Sequence, residues 1–178
     1  MNAARIAIVG LGNLMRTDDA VGMLALERLK VGLQVPRGVQ LIEGGTLGLD
    51  LIYALHGITH VVAIDAVDAG VEPGTILRYS GEGIAEMPVS KSVHLLGFSD
   101  LIGAMRLTGD APEHIVVLGV QAHTIAWGTE LTRPVERALP RLIDAALHQV
   151  SEWAREIAED KSIETAMQWE LTAEASAG

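Results

Sequence analysis

The stretch AIVGLGNLMRTDDAVG, Ala7–Gly22, decides how the rest of the chain is read. A β-branched run leads into Gly10 and Gly12, as it does in the first strand and turn of an open α/β sheet, and a segment of helical period follows. Two adjacent carboxylates, Asp18 and Asp19, then stand where a bound phosphate would go.

Working outward, short apolar runs alternate with longer helical ones. The runs are 6–9, 39–43, 60–65, 75–79 and 115–120, and each reads as a strand. Helices are expected over 19–31, 47–55, 93–107 and 132–159, with Pro140 kinking or dividing the last. The pattern predicts an α/β fold: a single-domain three-layer sandwich with a twisted, mostly parallel five-stranded sheet and helices on both faces. The run at 75–79 follows a turn and is read as an edge strand that can run antiparallel. Residues 1–160 are assigned to one domain, and 161–178 to a flexible tail.

Composition narrows the function. The chain has 178 residues, 49% of them hydrophobic, enough for one core. It carries 13 Lys and Arg against 23 Asp and Glu, a formal charge of −10, which repels nucleic acid and anionic membranes. With no cysteine there is no disulfide, thiolate metal site or cysteine nucleophile. No stretch approaches the roughly 20 apolar residues of a membrane span, so a cytoplasmic protein is expected, with neither nucleic acid nor membrane as partner.

Ligands in such sheets bind beyond the carboxyl ends of the strands. There the chain delivers Asp18 and Asp19, then Glu43 in EGGT, then Asp65 and Asp68, and finally the loop 119–128; His94 follows the fourth strand. A dinucleotide is disfavoured, since Met15 replaces the third glycine of the nucleotide-binding pattern and the two acids repel a pyrophosphate. The plainest role for the acids is local: Asp18 as helix N-cap and Asp19 complementing the helix dipole, together about 1–2 kcal/mol. That role is assigned to Asp18. Asp19 is grouped instead with Asp65, which ends a buried apolar run where an unpaired carboxylate is costly, although hydrogen bonds to loop amides are the usual fate of such an acid.

His94 begins a helix on its apolar side, where the dipole keeps an imidazole neutral and able to bind metal. His56, His60, His114, His123 and His148 are read as structural, His123 being the one that lies on a rim loop. Two carboxylates and one imidazole suit a borderline divalent ion such as nickel or zinc, with coordination positions left open.

Taken in order, GLGNLMRTDDAVG, EGGT, AIDAV, SVHLLGFSDLI and LGVQ resemble the [NiFe]-hydrogenase maturation endopeptidases over residues 6–150. The glycine and asparagine followed after four residues by an acidic pair are the most diagnostic piece. The resemblance implies a hydrolase that removes a C-terminal extension from the large-subunit precursor of a [NiFe]-hydrogenase once nickel is in place. It puts the catalytic, metal-contacting positions at Asp19, Asp65 and His94, with nickel presented by the substrate as a recognition element. Glu43 departs from the family's usual Asp, and the chain runs past the family's usual end. A non-catalytic nickel chaperone needs the same three ligands and stays as the alternative, with a nucleotide-binding protein behind it.

Overall fold

The structure is a computed structural model that describes residues 5–32, 35–46, 50–81 and 93–175. The side chains of 93–96 and 160–175 fall outside the described residues. The first apolar run forms β1 (Ile6–Leu11), and a 3-10 turn at Thr17–Ala20 leads into α1 (Val21–Gly32). Then come β2 (Val39–Gly45), the short α2 (Leu51–Ala54), β3 (His60–Val67), β4 (Ile76–Ser80), α3 (Val93–Thr108), β5 (His114–Gln121) and α4 (Arg133–Ala175).

The five strands lie in the order β2-β1-β3-β5-β4. β1, β2, β3 and β5 are parallel, whereas β4 runs antiparallel to β5 with Ile76 opposite Val120. The connection 68–75 is too short for the crossover of about a dozen residues that a parallel neighbour requires. The expected five-stranded, mostly parallel sheet in one open α/β domain is therefore what forms.

Alternation within the strands sends their side chains to two cores. Ile6 and Ile8, Val62 and Ile64, and Val116, Leu118 and Val120 pack against α1 and α4. The intervening Ala7 and Val9, Val61 and Ala63, and Ile115 and Val117 pack against α2 and α3. The predicted stripe of α3, Phe98, Leu101, Ile102 and Met105, is buried throughout. Each large side chain withdrawn from water in this way contributes about 1.5–3 kcal/mol.

The last helix is undivided and longer than expected. Pro140 lies within α4 without dividing it, because Val135, Ala138 and Leu139 before it and Leu142 and Ile143 after it are all held in one core. The helix also continues past 159 to Ala175. Among the described residues no helix is long and apolar enough to cross a membrane.

The consequence for the site is topological. The chain leaves β1 for β2 on one side and returns to β3 on the other, so the carboxyl ends of β1 and β3 flank the point where the winding reverses. Open α/β sheets bind ligands at such a point.

Candidate active site

Two glycines shape the end of β1. Gly12 has φ +110°, and a Cβ there would stand 1.7 Å from the carbonyl oxygen of Asp19, so only glycine fits. Gly22, in the first turn of α1, lies against the sheet so closely that a Cβ would stand 2.2 Å from the Ile64 carbonyl oxygen and 2.4 Å from that of Leu11. The helix start is thereby pressed between β1 and β3, and the 3-10 turn carrying the acidic pair is pressed down with it.

Asp18 and Asp19 are both buried but turn to different tasks. Asp19 is 1% exposed, and its Oδ2 accepts the Asn13 amide at 3.1 Å. Asp65, fully buried in β3, accepts the Ala66 amide on Oδ1 at 2.8 Å. That same Oδ1 lies 3.6 Å from where a Cβ of Gly12 would be. Carboxylates from the ends of β1 and β3 thus come to the same Gly12–Asn13 corner, at the reversal point of the sheet.

Asp18 is not the N-cap expected of it. The cap position of the 3-10 turn is Arg16, and no side chain caps it. Asp18 points instead to a segment more than a hundred residues further on. Its Oδ2 accepts the amides of His123 and Thr124 at 2.9 and 3.1 Å, and its Oδ1 accepts that of Thr132 at 2.7 Å. The Thr132 hydroxyl donates to Oδ2 at 2.9 Å. The acid ties the loop after β5 and the residue before α4 to the turn after β1. With three amides and the Thr132 hydroxyl all donating to it, Asp18 serves as a structural acceptor that joins these segments.

A cavity of about 540 Å³ opens next to Asp65, lined by Ala66–Asp68 of β3 and the following loop and by Gln121–Ala126 after β5. Its polar wall is organised by Gln121, which the sequence reading carried only within the LGVQ motif and the loop 119–128. This side chain is 4% exposed; its Oε1 accepts the Ala69 amide at 2.7 Å, and its Nε2 donates to Asp68 Oδ1 at 3.3 Å and to the Ala122 carbonyl at 2.9 Å. Within the strand its signal is a polar residue closing the apolar run 115–120. His123 lines the same cavity and is exposed.

His94 lies in the first turn of α3, and its side chain falls outside the described residues. Among the described residues, no three His, Asp or Glu side chains are grouped closely enough to hold an ion. Glu43, on β2, makes an ion pair with Lys30 of α1. Other histidines are engaged away from Gly12. His56 meets Asp110 at 2.7 Å, and His148 lies 3.5 Å from Glu152. His60 and His114 stack at 4.5 Å beside Trp153, at the amino ends of β3 and β5, the opposite end of the sheet.

With this geometry in view, the kinship of the chain is decisive. The family model described as hydrogenase maturation protease matches residues 23–149. The chain belongs to the hydrogenase maturation proteases. It is 32% identical over 154 residues to the hydrogenase 2 maturation protease of Escherichia coli, covering 85% of this chain and 92% of that one. To the hydrogenase expression/formation protein HupD of Bradyrhizobium diazoefficiens it is 34% identical over 152 residues, covering 84% and 79%. The fold is similar to that of the hydrogenase maturating endopeptidase HybD of E. coli, with a TM-score of 0.78 at 29% identity over 83% of this chain and 93% of that one. A maturation protease of this family is an endopeptidase and hydrolase, and here the cavity, Asp19 and Asp65 share one edge of the sheet.

Proposed function

We propose that this maturation protease removes the C-terminal extension of a [NiFe]-hydrogenase large-subunit precursor after nickel has been inserted. In this reading Asp19, Asp65 and His94 engage nickel that the substrate already holds, and the metal registers the scissile bond against the site. The observation that carries it is the approach of Asp19 and Asp65 to the Gly12–Asn13 corner, near a cavity of about 540 Å³. Two oxygen donors and an imidazole match the chemistry of a borderline divalent ion while leaving positions for the substrate's own ligands. Holding the scissile bond in place is itself a large part of catalysis, because orientation removes much of the entropic barrier. Hydrolysis takes its oxygen from water: the C–N bond breaks, hydroxide adds to the carbonyl carbon, and the released amine takes the proton.

The test compares matched precursors with and without nickel, free nickel being chelated, and reads the mass of the released extension. The expected result is cleavage of the nickel-loaded precursor alone. Equal cleavage of both would overturn recognition through substrate nickel.

A further inference from the structure

The two loops next to the acidic turn expose large apolar side chains. Leu14 is 38% exposed, Met15 53% and Trp127 75%. They belong to two loops, one after β1 and one after β5, that backbone hydrogen bonds join: Gly128 N–H donates to the Met15 carbonyl at 3.0 Å, and Thr17 N–H to the Gly128 carbonyl at 2.8 Å. The Arg16 guanidinium lies 5.2 Å from the centre of the Trp127 ring, within cation–π range. Thr17 holds φ +37°, an uncommon value for a β-branched residue, and its hydroxyl donates to the Thr124 carbonyl at 2.7 Å. Of the other exposed large hydrophobic residues, Val31, Tyr53 and Leu107 are on three separate helices and Val71 is in the loop after β3. Scattered residues of that kind need no explanation, whereas grouped ones on fixed loops do.

Trp and Arg are the side chains most enriched among residues that dominate binding, and a patch already held in shape loses little conformational freedom when a partner arrives. The occupant follows from position. Asp19 shares its turn with Thr17 and Asp18, which hydrogen-bond to the loop after β5, so a polypeptide that brings a bond to Asp19 passes beside both loops. We infer that Leu14, Met15 and Trp127, braced by Arg16, dock apolar side chains of the large-subunit precursor flanking its scissile bond. This rests on the proposed function and adds to it a contact that does not depend on the metal.

The experiment measures kcat and KM on nickel-loaded precursor for wild type, Trp127→Ala, Met15→Gln and the controls Tyr53→Ala and Leu107→Ala. Trp127→Ala is expected to raise KM roughly tenfold or more, by a larger factor than it lowers kcat, with Trp127→Phe recovering most of the loss and the controls staying within about twofold. Unchanged KM in both rim variants would overturn the inference. Calorimetric binding of uncleaved precursor to Asp65→Asn and to Asp65→Asn/Trp127→Ala separates the two ideas. Equal affinities count against the docking patch. Absence of wild-type cleavage together with an affinity that depends on Trp127 counts against the protease reading alone.

Discussion

Asp18 Oδ1 lies 2.7 Å from the amide nitrogen of Thr132, 114 residues further along the chain. Through that bond and its companions, the turn after β1 and the segment before α4 are fixed to each other at the mouth of the site. The neighbouring Asp19, one residue on, faces the Asn13 corner instead.

Asp18→Asn is expected to destabilise the fold. An amide has one accepting oxygen, so its NH2 group would confront donors that the carboxylate now accepts. Leaving buried donors in that state costs about 2–3 kcal/mol. For a chain of this length the melting temperature should fall by about 4–12 °C. Thermal unfolding followed by circular dichroism checks this, and an unchanged midpoint would show that the loop holds without the acid.

Asp19→Asn, Asp65→Asn and His94→Gln each exchange a donor while nearly preserving volume. Processing of nickel-loaded precursor should drop on the order of 100-fold or more, the scale set by loss of positioning at a reacting bond. Each variant should remain folded, as read by its circular dichroism spectrum. Near-normal processing by Asp19→Asn or Asp65→Asn would dissolve the assignment of the Gly12 corner as the site.

His60 makes stability depend on pH. Its burial, and then the charge of His114, hold its pKa below the ordinary 6.5, with Glu113 opposing. A histidine depressed in the folded state binds fewer protons folded than unfolded. Its contribution is therefore intact above about pH 6.5 and is lost as pH falls towards the lower folded value. Replacement by Phe keeps a ring against His114 and Trp153 but removes the titration. Relative to His60→Phe, wild type should gain melting temperature between about pH 5 and about pH 7.5. The same difference between the two proteins at both pH values would contradict the linkage.

Much of the architecture is local and so was legible. β-branched runs alternating with amphipathic segments specify parallel strands and crossover helices, and the stripe Phe98, Leu101, Ile102 and Met105 is buried as its spacing requires. Chain order placed Asp19 and Asp65 at adjacent strand ends, because the carboxyl ends of parallel strands share one edge. Pro140 does not divide α4, since its local cost is outweighed by the apolar contacts on both sides of it.

By itself the sequence determined the α/β class, the edge of the sheet that bears the acids and, through its ordered motifs, the resemblance to a protease family. Only the tertiary structure separated the two adjacent acids, turning Asp18 to Thr132 and Asp19 to Asn13, and only it revealed Gln121 as the organiser of the cavity and Trp127 as part of a joined rim. Secondary structure follows from periodicities within a few residues. The partner of a buried polar group depends instead on where a turn aims its side chain and on which loop a sheet register carries past it, more than a hundred residues away.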